Sequence, residues 1–576
     1  MPQRFNFRSA ISSGLITGGM MIYLVAVGIA SAFAEREVVT GFLTLGRLML
    51  AIPPLAIGYI VAGRPLPQNQ RLAQALAAGL AAGALFAGAY LGAVALSPGI
   101  RTVLNRVSSA LLDFVGFGNL GLEPATGALV NLGIATGLAV IGALIRIAPV
   151  SVRRAIVGAG TALVLMSMVE PFLRPRLLQL GQPGIAQFVY KSHGLATVSA
   201  AIIVAIGALL AVTWPRMRGT VRGRLAAADP GTRVMLRWAA ILVGIAFLYT
   251  LPSISGSFLT QVLVLVGFYV LLGLGLNIVV GYAGLLDLGY VAFYAVGAYF
   301  TALITSPTSV LGWGLNFWIA LPLVILVSSM VGLFIGAPVL RLRGDYLAIV
   351  TLGFGEIARV LLGSDALKPW LGGPNGILSV PFMVGEGTYF LPIVGKVTGP
   401  AATYFPLVGF CMLAAFVAYR LKYSRTGRAW NAMREDEDVA QATGISTVNY
   451  KLLAFAMGAA VGCVGGAIYA THLQGVVPGG FVLLVSITVL AVVVLGGMGS
   501  IPGVVVGALA LIGTPELLRE FAEYKLLVYG AVLVAVMVLR PEGLIPDASR
   551  RAELEEAREI EEGELKVEYD EITGDA

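Results

Sequence analysis

Long apolar runs, separated by short polar stretches, dominate the hydropathy pattern of this 576-residue chain. In the first part of the chain the runs lie at about 11–34, 39–62, 72–96, 125–148, 155–170 and 195–214. Further on they lie at about 237–251, 259–280, 283–305, 317–338, 345–363, 402–421, 451–472, 480–497, 501–514 and 524–540. Most of them approach or exceed the roughly 20 residues that a helix needs to cross a ~30 Å membrane core. Their apolar positions are continuous rather than alternating, which predicts helices and makes strands unexpected.

Composition agrees with a chain that lies mostly in lipid. Hydrophobic residues make up 58% of it and charged residues only 12%, with 73 glycines. A globular protein carries about 25% charged residues, so the composition predicts an all-α polytopic membrane protein. The glycines allow helices to approach one another closely, as packing within lipid requires.

The charges divide the chain. Six arginines fall within 216–237, and 11 acidic residues against 4 basic ones lie within 550–576. Positive loops favour the cytoplasmic side of a membrane, so the first cluster predicts a basic cytoplasmic linker at 216–236. We expect an amino-terminal accessory membrane region of about six spans at 1–215 and a second membrane unit of about 8–10 spans at 237–546. An acidic cytoplasmic tail at 547–576 would follow, and Arg4 and Arg8 place the amino terminus on the same side.

The longest strongly polar island among the apolar runs is 424–445, which reads S-R-T-G-R-A-W-N-A-M-R-E-D-E-D-V-A-Q-A-T-G-I. Ser424 or Thr426 can cap the start of a helix, and Gly444 suits the left-handed position after a helix end. The acidic residues at 435–438 suit the start of a second helix. The pattern predicts a short helix-loop-helix at the cytoplasmic membrane face, and an ordinary loop is the alternative.

Two apolar runs carry glycine-rich interruptions. One reads G-Y-A-G-L-L-D-L-G at 281–289 and the other G-G-M-G-S-I-P-G at 496–503. Glycine loosens the backbone and proline removes an amide donor, so each run predicts a discontinuous helix. Non-helical backbone survives at membrane depth only where protein or a water-filled cavity covers it. Such pairs point to a transport pathway; the alternative is a pair of glycine-rich packing helices.

Several longer motifs follow one another in the second unit. They are L-N-I-V-V-G-Y-A-G-L-L-D-L-G-Y-V-A-F-Y-A-V-G-A-Y at 276–299, R-G-D-Y-L-A-I-V-T-L-G-F-G-E-I-A-R at 343–359, G-G-P-N-G-I at 372–377, the polar island at 424–445, V-L-G-G-M-G-S-I-P-G at 494–503 and R-P-E-G-L-I-P at 540–546. With these motifs in this order, residues 236–546 resemble a permease subunit of the branched-chain amino-acid ABC importers, of the M-subunit (LivM) type. The first ~230 residues and the acidic tail depart from the usual compact subunit.

The resemblance implies that 424–445 is the coupling loop that docks on an ATPase subunit. The residues assigned to this role are Gly427, Arg428, Ala429, Trp430, Met433, Arg434, Glu435, Asp436, Ala440, Gly444 and Ile445. Arginines can pair with acidic groups of the partner, while Trp430 and Met433 would offer an apolar anchor.

The resemblance also implies partners and excludes a bound cofactor. We expect two ATP-binding subunits, a second homologous permease subunit and an extracellular substrate-binding protein, with this chain in the cytoplasmic membrane of a prokaryote. The chain has no G-x-x-x-x-G-K-[ST] phosphate loop, because Gly395-Lys396 is followed by Val397. ATP and Mg²⁺ would therefore be held by the partners, and no nucleic acid is implied.

For the substrate pathway we select polar, aromatic and glycine residues in or beside the apolar runs. They are Asn277, Gly281, Gly284, Asp287, Tyr294, Asp345, Thr351, Glu356 and Asn375. A charge at membrane depth costs several kcal/mol unless it faces a cavity or a partner. Glu356 also lies three residues before Arg359, the spacing of an ion pair on one helix.

Three alternatives stay open on the sequence. The same class of transporter could carry urea or short amides. An ion- or proton-coupled secondary transporter would suit Asp287 and Glu356 but leave the coupling loop unexplained. A membrane enzyme is disfavoured because the spans hold no nucleophile or acid-base cluster, and the two cysteines and two histidines lack metal-ligand spacing.

Overall fold

The computed structural model describes residues 7–34, 36–41, 43–63, 67–95, 112, 115–116, 122–179, 181–191, 194–227, 229–339, 345–385, 387–392, 395–517, 530, 534 and 543–547. The chain divides into two compact units, Met1–Ile241 and Leu242–Ala576. The segment R-L-R-G at 341–344, the apolar run at 524–540 apart from 530 and 534, and the acidic tail beyond 547 lie outside the described residues.

The first unit is built from helices of very different lengths. They are α1 (Phe7–Ala26), α2 (Ile29–Ala32), α3 (Leu45–Val61), α4 (Gln68–Ala95), α5 (Pro124–Ile147), α6 (Val150–Met168), α7 (Glu170–Gln179), α8 (Pro183–Val189), α9 (Thr197–Ala227) and the start of α10 (Pro230–Leu276). The apolar run at 155–170 belongs to α6, whose 19 residues are long enough to cross a membrane. The basic segment 216–236 is helical up to Ala227 and again from Pro230.

Small residues set the helix packing in this unit. A side chain at Gly58 would place its Cβ 1.8 Å from the carbonyl oxygen of Ala139, and one at Gly142 would lie 2.1 Å from that of Leu55. Helices α3 and α5 therefore touch backbone to backbone, the close approach that the glycine content predicts.

Short strands lie between the helices, mostly outside the apolar runs. In the first unit β1 (Glu37–Val39), β2 (Leu43–Thr44), β3 (Tyr190–Lys191) and β4 (Gly194–Leu195) form a sheet of order β2-β1-β4-β3. In the second unit β5 (Ile377–Leu378) pairs with β8 (Gly475–Val476), and β6 (Thr388–Leu391) pairs with β7 (Gly395–Thr398). Each strand has only two to four residues, so hydropathy periodicity has too few positions to reveal it.

The second unit continues with further helices. They are α11 (Val291–Thr305), α12 (Phe317–Val339), α13 (Asp345–Leu362), α14 (Lys368–Leu371), α15 (Pro400–Lys422), α16 (Arg425–Glu435), α17 (Glu437–Ala442), α18 (Thr447–Leu473), α19 (Leu483–Gly496), α20 (Ile501–Ala508) and α21 (Thr514–Leu517), with π-helical turns at Asn277–Tyr282 and Leu509–Gly513. The described residues contain 10 helices long and apolar enough to span a membrane, or up to 11 with the bent pair at 346–371. The fold is thus the all-α polytopic membrane architecture that composition predicts.

Helix α18 lies at the centre of the second unit, between α11 and α12. A Cβ at Gly297 would lie 2.3 Å from the carbonyl oxygen of Cys463, and one at Gly466 would lie 2.1 Å from that of Tyr294. The backbones of α11 and α18 therefore pack in direct contact. The largest fully buried side chains of this unit include Tyr290, which donates a hydrogen bond to the Gly458 carbonyl at 3.0 Å.

Candidate functional site

The polar island folds into two short helices, as its capping residues predict. Helix α16 starts after Ser424, whose hydroxyl oxygen accepts a hydrogen bond from the Gly427 N–H at 3.2 Å. Helix α17 starts after Asp436, whose carboxylate accepts bonds from the N–H groups of Asp438 and Val439, both at 2.9 Å. Gly444 follows with φ +90°, the left-handed conformation that ends a helix.

One face of α16 is buried within the chain. The Trp430 ring is 0% exposed, and its indole N–H donates to the Tyr450 carbonyl at 2.8 Å. Ala429, Met433 and Ala440 of α17 are buried as well. The expectation that Trp430 and Met433 anchor a partner is therefore corrected: both side chains attach the helix pair to its own unit, because the apolar stripe of an amphipathic helix seeks the core.

An ion pair fixes the second short helix. The Lys451 ammonium on α18 lies 2.6 Å from the Glu437 carboxylate, with only 5% of the lysine side chain exposed. A largely buried charge is costly unless paired, so this contact holds α17 against α18 in one register.

The opposite face of the helix pair is open. Its exposed residues on α16 include Arg425, Arg428, Asn431 and Glu435, and Val439 on α17 is 58% exposed. This face therefore presents charged and polar side chains beside one apolar side chain.

The first break follows the end of α10. The helix widens into a π-helical turn at Asn277–Tyr282, and the backbone stays non-helical until α11 begins at Val291. The Arg434 guanidinium of α16 donates to the Gly281 carbonyl at 2.8 Å. Gly284 has φ +71°, and a Cβ there would lie 2.7 Å from Arg434 Cγ. The polar island and the first break are therefore in direct contact.

The second break lies between α19 and α20. Gly497 and Gly499 have φ values of +117° and +82°, and the Ser500 hydroxyl caps α20 by accepting from the Gly503 N–H at 3.1 Å. The Asn277 side-chain oxygen accepts a hydrogen bond from the Gly499 N–H at 2.8 Å, and Asn277 is 0% exposed. The two breaks, far apart in sequence, meet at this bond.

Lys422, the last residue of α15 and two residues before the polar island, contacts the second break. Its ammonium donates to the Gly499 carbonyl at 2.9 Å and lies 2.5 Å from the Asp547 carboxylate. The segment before Asp547 also lies on the break, since Leu544 and Ile545 donate their N–H groups to the Leu495 and Gly496 carbonyls at 2.8 and 2.9 Å. Sequence reasoning missed Lys422; its position two residues before the Ser424 cap is the only local signal.

Two further selected residues lie together deeper in the unit. Asp287 is 1% exposed and accepts a hydrogen bond from the Gly289 N–H at 2.9 Å. The Thr351 hydroxyl accepts from the Leu288 N–H at 3.1 Å, which connects α13 to the first break. These bonds pair the N–H groups of Leu288 and Gly289, which have no helical partners because the backbone is not helical there.

The remaining selected residues are dispersed. Tyr294 lies in an aromatic cluster with Tyr469 and Phe481, with ring centroids 5.3 and 5.2 Å away. Glu356 is partly exposed and forms an ion pair with Arg359 on α13, as their spacing predicts. Three other selected positions are not among the residues that bond to the two breaks. Asn375 is exposed at the end of a 3-10 turn (Gly373–Asn375), and Ile445 is half-buried after α17. Asp345 starts α13, and its side chain is not among those described.

Comparisons with known proteins agree with this architecture. The family model described as "Branched-chain amino acid transport system / permease component" matches residues 258–537. The chain is 41% identical over 324 residues to the high-affinity branched-chain amino acid transport permease LivM of Salmonella typhimurium, covering 54% of this chain and 74% of the relative. It is 37% identical over 406 residues to LivM of Escherichia coli, and the match covers 67% of this chain and 84% of the relative. No solved structure matches it.

A more distant group of relatives carries a different subunit name. The permease LivH of Salmonella typhimurium is 26% identical over 288 residues, which is 48% of this chain and 91% of the relative. The greater identity to LivM distinguishes the two types. The chain therefore belongs to the permease subunits of the branched-chain amino-acid ABC transporters, of the LivM type.

Proposed function

We propose that this chain carries branched-chain amino acids across the cytoplasmic membrane, driven by ATP hydrolysis in two separate ATP-binding subunits. As a permease subunit it works within a multi-subunit transporter. The further partners in the proposal are a second homologous permease and an extracellular protein that delivers the substrate. The names of the LivM relatives support the substrate class.

One observation supports the coupling role above the others. Helices α15 and α16 together bond to both breaks: Arg434 near the end of α16 donates to Gly281, and Lys422 at the end of α15 donates to Gly499. A force on the exposed face of α16 would therefore act on the two non-helical segments through charge-assisted hydrogen bonds, which are about twice as strong as neutral ones.

The proposed mechanism is alternating access. ATP binding draws the two ATPase subunits together, α16 and α17 follow, and the segments around Gly281 and Gly499 shift as one body because Asn277 bridges them. Spans on either side of the breaks then open to one face of the membrane or the other. ATP and Mg²⁺ stay on the partner subunits, and no bond of the substrate is made or broken.

The proposed orientation places the helix pair in the cytoplasm. The arginine-rich stretch 216–237 and the basic residues at 420–434 would then lie on the inner side, as positive loops favour. Both termini would face the cytoplasm. This arrangement can be tested with two single-cysteine variants, Arg428→Cys and Asn375→Cys. A labelling reagent is added on one side of the membrane or on the other, and its reaction with each cysteine is measured.

The activity is tested in proteoliposomes that contain this chain with its partner subunits and binding protein. ATP-dependent uptake of labelled leucine is expected, with valine and isoleucine as competitors and urea as a non-competitor. A complex whose ATPase subunits cannot hydrolyse ATP is the control and should import nothing. Leucine uptake that persists without the ATPase subunits, or competition by urea alone, would contradict the proposal.

A further inference from the structure

Helix α13 carries an ion pair within its membrane span. Arg359 Nε donates to Glu356 Oε1 at 2.9 Å, and the two side chains remain 38% and 43% exposed. Glu356 lies 11 residues after Asp345, the first residue of α13. At a rise of 1.5 Å per residue this is about 16 Å, close to the middle of a ~30 Å membrane core. Other charged residues in the described spans of this unit, such as Lys451 and Glu516, lie near a helix end.

The ion pair belongs to an exposed face of α13. Tyr346, Ile349, Ile357 and Val360 on this face are 73%, 64%, 55% and 55% exposed. With Gly353 between them, they follow the three- and four-residue spacing of one helix face. A Cβ at Gly353 would lie more than 4 Å from the described atoms outside its own helix. The face therefore has a notch where another backbone can approach closely.

The opposite face of α13 packs against the first break. The Thr351 hydroxyl accepts a hydrogen bond from the Leu288 N–H, and a Cβ at Gly355 would lie 3.2 Å from Gly289 Cα. Leu347 on the same face is 3% exposed. A shift of the first break would therefore move α13 and its exposed face with it.

Neither lipid nor water suits the exposed face. A carboxylate or a guanidinium facing the lipid core costs several kcal/mol unless it meets a partner or a cavity, and large apolar side chains facing water forgo their burial. A protein surface suits both, because its polar groups can pair with the charges while its apolar groups pack on the isoleucines. The neighbouring α12 differs: its exposed side chains, such as Leu326, Met330 and Phe334, are apolar, which suits lipid.

We propose that the exposed face of α13 is the contact surface for the second permease subunit. That subunit sets polar groups opposite the Glu356–Arg359 pair and packs a helix at the Gly353 notch. The inference rests on the proposed function and adds to it the place where the two permeases meet. A LivH-type permease matches this chain over 91% of its own length, and subunits of one fold commonly pair the same face across a two-fold axis.

The test uses photo-crosslinking in the complete reconstituted complex. Benzoylphenylalanine is placed at Ile357 of α13 in one variant and at Leu326 of α12 in the other. The two side chains are 55% and 58% exposed, so Leu326 is a matched control. On illumination the Ile357 variant is expected to form a covalent product with the second permease subunit, identified by mass spectrometry. The Leu326 variant should form no such product.

Removing the charges gives the second readout. Glu356→Leu combined with Arg359→Leu removes both charges at once, so that no unpaired charge remains in the membrane. On a lipid-facing surface this change would be neutral or stabilising, whereas at the proposed contact the second permease should co-purify roughly tenfold less well. Glu356→Asp combined with Arg359→Lys keeps both charges and should retain the second permease.

The outcomes separate the two claims. A product between position 357 and the second permease, with loss of that subunit from the double-leucine variant, supports the contact surface. A product with a second copy of this chain, a product with lipid alone, equal products from both positions, or full assembly of the double-leucine variant overturns it. If such a complex still imports leucine, the proposed function stands. A complex that imports no leucine, or that works without a second permease, contradicts the proposed function and this inference with it.

Discussion

The side-chain oxygen of Asn277 accepts a hydrogen bond from the backbone N–H of Gly499, 222 residues further along the chain. Each residue belongs to one of the two interrupted helices. The bond lies where neither partner reaches solvent, and a Cβ at Gly281 would fall 2.1 Å from the same Asn277 oxygen. The two breaks are therefore packed as one junction, to which Lys422 of α15 and Arg434 of α16 bond.

Removing this bond should uncouple the two breaks. Asn277→Leu keeps a side chain of similar size but leaves the Gly499 N–H without its acceptor, at a cost of about 1–3 kcal/mol for a buried donor. We expect leucine uptake to be largely lost and the melting temperature of the purified protein to fall.

Asn316→Leu is the matched control for that change. Asn316 also accepts a backbone hydrogen bond, from the Trp318 N–H at 3.0 Å, but it lies in an exposed turn. Its loss should cost about 1 kcal/mol, as for a helix cap, and leave uptake intact. Equal losses of uptake in both variants would mean that Asn277 has no special role.

Lys422 should act as the second attachment of the junction. Lys422→Met removes the donor to Gly499 and leaves the Asp547 carboxylate without this cation. We expect uptake to fall while ATP hydrolysis by the complex continues. Arg420→Met, two residues earlier and exposed on the same helix, should be silent. If Arg420→Met and Lys422→Met behave alike, the contact with Gly499 does not transmit force.

Trp430 should govern stability rather than docking. Trp430→Ala empties a fully buried site and should lower the free energy of unfolding by about 3–5 kcal/mol. Trp430→Phe loses the hydrogen bond to Tyr450 and part of the buried ring system, and should cost less than the alanine change, about 1–3 kcal/mol. Chemical denaturation in detergent measures both. If Trp430→Ala is as stable as the unsubstituted protein but fails to bind the ATPase subunits, Trp430 contacts the partner and not the core of its own unit.

Arg428 should contribute to the docking surface. It is exposed on α16, so Arg428→Glu changes the charge of that face without disturbing the core. We expect the variant to fold normally but to fail to co-purify with the ATPase subunits. Lys396→Glu, an equal charge change at an exposed position of β7, should assemble normally. Gly427 is a poorer probe, because a Cβ there would lie 2.2 Å from the Lys422 carbonyl oxygen.

Local sequence signals predicted local structure well. The helix pair at 424–445 follows from Ser424, Asp436 and Gly444, whose capping chemistry acts within a few residues. The two breaks follow from clustered glycines for the same reason. The resemblance located the family because its motifs are long and ordered.

Relationships between distant segments were not predicted. Nothing near Lys422 indicates that its ammonium meets Gly499, and nothing near Trp430 tells whether the ring faces the core or a partner. Both depend on how whole helices pack, which short motifs do not encode.

The most direct test uses the reconstituted complex with the Arg434→Ala permease. The quantity measured is the number of leucine molecules imported for each ATP that the ATPase subunits hydrolyse. Arg434 is half-buried and joins α16 to the Gly281 carbonyl, whereas Arg425 on the same helix is exposed and serves as the control. A hydrogen bond from a charged donor contributes about 1.5–3 kcal/mol, so the ratio should fall roughly tenfold or more. Arg434→Ala should still assemble and hydrolyse ATP, and Arg425→Ala should keep the normal ratio. An unchanged ratio in Arg434→Ala would contradict the claim that this contact couples the motor to the pathway.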